Sequence, residues 1–99
     1  MISPTDISTS ASRVLAQYDV SKAYLFGSFA RGEQTPDSDI DLRLVCGNTM
    51  TFGTLYELPH ELERELGRKV DIVTNPPEHM RPAFRKSIEQ DELRVYEAL

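Results

Sequence analysis

Asp39 and Asp41 are the residues whose types and spacing first point to chemistry. In an extended strand, residues i and i+2 share a face and stand roughly 6.5–7 Å apart at the backbone. Their carboxylates can converge on one hard cation. Mg²⁺ takes oxygen ligands and is commonly held by one or two carboxylates together with substrate phosphates. The plain alternative is a solvated strand face. Against it, like charges on one face repel and aspartate is a poor strand former, so the pair weakens its strand unless a cation or a nearby arginine offsets it. Asp71 is a third acid, set between Val70 and Ile72 in a short apolar run, so it points away from its neighbours' face. Alone it reads as an edge-strand acid facing water. If its strand lies beside that of Asp39 and Asp41, three carboxylates meet at one site.

Upstream, Leu25-Phe26-Gly27-Ser28 reads as a strand running into a Gly-Ser turn, followed by a short helix-like Ala30-Arg31 segment. Glycine lets the backbone approach a ligand closely. The N–H groups that follow, with the Ser28 hydroxyl, can face an anion such as a phosphate. On that pair alone an ordinary turn is the commoner meaning. Three acids together with a phosphate-cradling turn suit metal-assisted phosphoryl or nucleotidyl transfer.

The elements that must position these residues follow from the pattern. Ser3-Pro4-Thr5-Asp6 is a helix start, with Ser3 as cap and Asp6 as the capping-box acid. Ile7, Ala11, Val14, Leu15 and Tyr18 then recur on one helical face. Ala23 to Phe26 reads as a buried strand, and Asp39 to Val45 as an alternating one, with Ile40, Leu42 and Leu44 on one side and Asp39, Asp41 and Arg43 on the other. Leu55, Leu58, Leu62 and Leu66 fit a helix stopped by Gly67. Pro59 removes a donor from it, so the helix either kinks there or begins near Leu58. Val70 to Val73 is a third strand, Asn75-Pro76-Pro77 a loop, Arg81 to Glu89 a helix, and Leu93 to Tyr96 either a last strand or an irregular segment. Helices mixed with three or four strands in so short a chain make a two-layer α/β domain.

Composition sets the outer bounds. The 99 residues, 39% hydrophobic and 27% charged, fit a single domain over residues 1–99. The charge of −5 and pI near 4.9 disfavour general binding of nucleic acid or an anionic membrane. One cysteine, Cys46, excludes an internal disulfide and suits a reducing cytoplasm; it reads as a small core residue rather than a catalytic thiol. Residues 1–6 lack the basic and apolar regions of a signal peptide, and no apolar run approaches a membrane span. His60-Glu61-Leu62-Glu63-Arg64 resembles the start of a zinc-protease helix but has Arg64 where the second histidine belongs. His79 stands without a partner. Arg81, Arg85 and Lys86 form a basic patch that is either solvated or a contact for triphosphate or acidic groups. Phe29, Phe52, Tyr56 and Phe84 are candidates for a partner surface, though most are expected in the core.

Gly27-Ser28, ten residues, then Asp39-Ile40-Asp41 resembles the signature of the DNA polymerase β nucleotidyltransferase superfamily. The local text, Phe26 to Glu33 with Ser38 to Leu42, is most similar to the minimal nucleotidyltransferases, the MntA-type antitoxins that pair with HEPN-domain toxins. Leu66-Gly67-Arg68-Lys69-Val70-Asp71-Ile72-Val73 is similar to the family's third-acid strand, and the resemblance covers nearly the whole chain. It implies a polymerase β-like fold, a short mixed sheet packed against helices. It implies that Asp39, Asp41 and Asp71 are catalytic and hold Mg²⁺ as a two-ion site, with Asp71 helping to deprotonate the acceptor. It implies that Gly27 and Ser28 cradle the β- and γ-phosphates of ATP; Arg31 either neutralises phosphate or pairs with an acid such as Asp37 or Asp41. The reaction implied is AMP transfer from ATP to a tyrosine hydroxyl of a HEPN-domain toxin partner, with no membrane or direct nucleic-acid binding. The alternatives are an antitoxin that acts by binding alone, and transfer to a small-molecule hydroxyl.

Overall fold

The first helix, α1 (Pro4–Leu15), starts where its capping signal lies. The Ser3 hydroxyl accepts from the Asp6 N–H at 3.2 Å, and the Asp6 carboxylate accepts from the Ser3 N–H at 2.9 Å. Ile7, Ala11, Val14 and Leu15 are buried, while Tyr18 lies beyond the helix end and packs half-buried against the core. In this computed structural model, which describes residues 2–74 and 76–98, the remaining elements are β1 (Val20–Phe26), α2 (Ser28–Arg31), β2 (Ile40–Cys46), α3 (Phe52–Leu66), β3 (Val70–Val73), α4 (Pro82–Asp91) and β4 (Leu93–Glu97). Of the expected loop at residues 75–77, Asn75 lies outside the described residues, and Pro77 opens a single 3₁₀ turn to His79.

The four strands form one mixed sheet in the order β3-β2-β1-β4. β1 pairs antiparallel with both β2 and β4, whereas β2 and β3 run parallel. Parallel neighbours need a crossover, and α3 supplies it. Ile40, Leu42 and Leu44 of β2 and Ala23 and Leu25 of β1 pack with α1 and with Leu58, Leu62 and Leu66 of α3 in one apolar core. That core fixes the register of β2. A slip of one residue would turn the whole apolar set outward and the acids inward.

Pro59 neither shortens α3 nor delays its start. The helix begins at Phe52, where the Thr51 hydroxyl accepts from the Thr54 N–H at 3.2 Å and the Thr54 hydroxyl accepts from the Thr51 N–H at 2.8 Å. This capping box and the three buried leucines hold the helix through the proline, which leaves the Leu55 carbonyl without its usual donor.

The aromatic expectation is corrected as well. Only Phe29 is core, at 1% exposure; Phe52 is 93% exposed, Tyr56 71% and Phe84 41%. Phe52 and Tyr56 are four apart on α3 and are neighbours on its exposed surface.

The far side of the sheet carries the polar residues of β2. Arg43 is nonetheless buried, at 8% exposure. Its guanidinium lies 4.5 Å from the centre of the Tyr24 ring and grips the Glu92 carboxylate through both Nε and Nη2, the latter at 3.1 Å. Removing one partner of a buried pair leaves the other charge uncompensated. Glu92→Ala is therefore expected to cost about 3 kcal/mol, read as a lower urea midpoint; a shift within the scatter of surface variants would contradict the assignment.

Candidate active site

Asp41 sits on β2 opposite Phe26 of β1 on one side and Asp71 of β3 on the other. Parallel pairing in that register places the two aspartates on the same face of neighbouring strands, about 4.8 Å apart at the backbone. Asp39 lies one residue before β2, where the ladder opens with the Ile40 N–H donating to the Lys69 carbonyl at 2.9 Å. Its carboxylate is 3.9 Å from the Lys69 ammonium. The expected strand thus starts one residue late, yet the structure gathers all three predicted acids at one corner of the sheet.

Electrostatics register the crowding. Burial holds the Asp41 carboxyl above its ordinary range; repulsion from Asp71 and then Asp39 adds to the shift, while Arg31 acts against it. Such a carboxylate is a poor neighbour for two others but a good ligand for a hard cation, because a divalent charge converts the repulsion into attraction. The donor set, three carboxylates with only oxygen ligands, fits Mg²⁺. Among the described residues no group of three or more His, Cys, Asp or Glu side chains is already placed to hold a metal ion. Mg²⁺ commonly combines one or two carboxylates with oxygens of substrate phosphates and water.

Gly27 joins β1 to α2 in a conformation, φ 77° and ψ −155°, that L side chains rarely adopt. A methyl group on it would overlap the Asp41 carboxylate. The glycine therefore lets the Gly27–Ser28 turn lie against the acid. The four-residue α2 that follows buries Phe29 in the core and ends at Gly32.

Arg31 projects from α2 and pairs with acids, one of its two expected alternatives, though with other partners. It is bonded through Nε to Glu33 and through Nη1 to Asp91 at 2.7 Å, rather than to Asp37 or Asp41. Asp91 and Glu92, at the end of α4, thus hold Arg31 and Arg43 respectively. Both pairs span about half the chain or more, which is why sequence spacing gave no sign of them.

The other candidates take the plain reading. His60 lies on the surface of α3, edge-on to Tyr56 and 3.6 Å from Glu63. His79 is exposed. Arg81 and Lys86 are exposed, and Arg85 is paired along its helix with Glu89 at 2.9 Å. Cys46 is half-buried, and burial pushes its thiol up, away from a reactive thiolate.

The Asp41 shift has a definite sign. A carboxyl whose folded pKa is raised binds its proton more tightly in the fold than in the unfolded chain. Its ionisation then costs stability at neutral pH, and that cost fades as pH falls through the folded value toward the ordinary 3.8. Without divalent metal, Asp41→Asn is expected to melt above the parent at about pH 7, with the gap closing near about pH 3.5. A variant that melts lower at neutral pH would show that Asp41 is not under repulsive load.

Comparison with known proteins agrees with this fold. The family described as polymerase beta, nucleotidyltransferase matches residues 10–98. A protein of Methanocaldococcus jannaschii, provisionally named a protein adenylyltransferase, is 44% identical over 81 residues, 80% of each chain. A solved structure provisionally described as a minimal nucleotidyltransferase superposes with TM-score 0.73 at 27% identity, covering 93% of this chain and 95% of that one. A chain in the Shewanella oneidensis complex of a tri-AMPylated HEPN toxin with an MNT antitoxin shares the fold at TM-score 0.68 and 18% identity, over 96% of this chain and 73% of that one. The chain belongs to the polymerase β nucleotidyltransferase family.

Proposed function

We propose that this chain is the antitoxin of a toxin–antitoxin pair, transferring AMP from ATP to a tyrosine hydroxyl of a HEPN-domain toxin. The observation that carries the reading is the in-register pairing of Asp41 with Asp71, with Asp39 beside them and the Gly27–Ser28 turn against Asp41. The sequence relative named for protein adenylylation and the fold shared with an antitoxin–toxin complex support the choice of acceptor.

Mg²⁺ bound by Asp39, Asp41 and Asp71 would supply charge neutralisation at the attacking and leaving oxygens. The chain's own residues do the rest. Gly27 and Ser28 receive the β- and γ-phosphates, with the backbone close because no side chain intervenes at Gly27. Arg31 adds positive potential at Asp41 while bonded to Glu33 and Asp91. Asp71, exposed at the sheet edge, accepts the proton of the acceptor hydroxyl. The hydroxyl oxygen attacks the α-phosphorus in line. A bond forms between that oxygen and phosphorus, the bond to the bridging α–β oxygen breaks, and pyrophosphate leaves with its electron pair. The acid corner is open, so the acceptor's own protein surface supplies the missing wall of the site.

The test uses the chain with its co-expressed HEPN neighbour, Mg²⁺, and ATP labelled at either the α- or the γ-phosphate. Label is expected to reach the toxin from the α-position only. Asp41→Asn should lower the rate at least about 100-fold, the scale of losing one electrostatic group at a transition state. Label from the γ-position would mean phosphorylation. Toxin neutralisation without any label, unchanged by Asp41→Asn, would mean an antitoxin that acts by binding.

A further inference from the structure

We infer that Arg68 is a positioning residue for Asp39, locking the segment that carries this acid to both the Gly27–Ser28 turn and the third-acid strand. The inference rests on the metal-binding role proposed above for the acid corner.

Arg68 stands between Gly67, which ends α3 in a left-handed conformation, and β3. Its Nη1 donates to the Pro36 carbonyl at 2.9 Å and to the Ser38 carbonyl at 3.3 Å. Ser38 directly precedes Asp39. The central carbon of the same guanidinium lies over the Phe29 ring, 5.3 Å from its centre. Phe29 directly follows Ser28 and is fully buried. One planar group rooted beside β3 therefore touches the turn before Asp39 and the residue behind the phosphate turn.

Residues 33–37 carry mostly exposed side chains and no helix or strand. The turn is closed internally, with the Thr35 N–H donating to the Ser38 hydroxyl at 2.8 Å and the Ser38 N–H to the Thr35 carbonyl at 3.1 Å. Those bonds shape the turn, and the Glu33 N–H donates to the Ser28 carbonyl at 2.9 Å, tying the start of the segment to α2. Past Asp39, the Ile40 N–H to Lys69 carbonyl bond anchors the chain on one side. Arg68 anchors it on the other, so Asp39 is suspended between two neighbouring residues of one chain segment. Charge-assisted donors to carbonyls, backed by an aromatic face, are suited to this. Both carbonyls accept from the one Nη1, which a lysine ammonium could imitate, but a lysine lacks the planar group that lies over the Phe29 ring.

The test measures Mn²⁺ binding by electron paramagnetic resonance, without ATP, alongside thermal melting. Arg68→Ala is expected to weaken Mn²⁺ binding roughly 10–100-fold, as loss of groups that orient metal ligands does. Arg68→Lys should fall in between. At saturating metal, the KM for ATP should stay near the parent value while the metal requirement rises. Unchanged Mn²⁺ affinity in Arg68→Ala, with binding weakened by Asp41→Asn, would overturn the inference and leave the site reading intact. Unchanged affinity in Asp41→Asn would overturn the site reading itself. If Arg68→Ala does not fold, Arg68→Lys decides: parental affinity would make Arg68 merely structural, and an intermediate value would support the role.

Discussion

Two like charges are held side by side by the parallel pairing of β2 with β3, and the rest of the molecule is arranged to keep them there. Asp41 and Asp71 face each other because their strands run in register, and the register is locked from the opposite face. There Ile40, Leu42 and Leu44 are sealed against α1 and α3. A strand pair cannot slide to separate its acids without exposing that set, so the hydrophobic core enforces the repulsion. The crossover helix is part of the same device. Its capping box at Thr51 and its buried leucines carry it through Pro59 and return the chain parallel to β2.

The basic residues near the corner are engaged in ways that leave the acids unquenched. Arg43, two residues beyond Asp41 on the same strand, is drawn to Glu92 and Tyr24. Arg31 is drawn to Glu33 and Asp91 and reaches Asp41 only through its field. Arg68 donates to backbone carbonyls. Lys69 approaches Asp39 at 3.9 Å, and both side chains are solvated, so that pair is weak. A fully paired acid cluster would be a stable structural network with little appetite for a cation. This one keeps its negative potential at the open edge of the sheet, beside a turn whose glycine brings backbone against it. That is the arrangement a divalent ion carrying a triphosphate requires.

Local signals made much of this legible in the sequence. Capping residues at Ser3 and Asp6, the alternation along β2, and Gly67 after the leucine repeat each encode a nearest-neighbour preference, and the elements formed there. The acid corner was legible because its spacing has period two and its glycine has a steric reason. Legibility ended where tertiary pairing took over. Asp91 and Glu92 lie past the helix end expected at Glu89 and carry no local signal, yet they hold arginines 60 and 49 residues away. Arg68 read only as part of a motif, because its carbonyl partners lie on a loop some 30 residues earlier. Phe29, Phe52, Tyr56 and Phe84 stood open between core and partner surface, with core favoured for most, because burial depends on which side of each element faces the sheet. Pro59 looked like a kink or a late helix start because its local cost is visible and the distant packing that offsets it is not.

The central claim is that the crowded carboxylates are a cation site shared with a nucleotide. Its most direct test is the anomalous signal of Mn²⁺ in crystals grown with a non-hydrolysable ATP analogue. The account predicts a peak within about 2.0–2.3 Å of oxygens from Asp39, Asp41 or Asp71, with the β- and γ-phosphates against Gly27 and Ser28. A peak elsewhere with the acid corner empty, or a nucleotide seated away from the Gly-Ser turn, would contradict it.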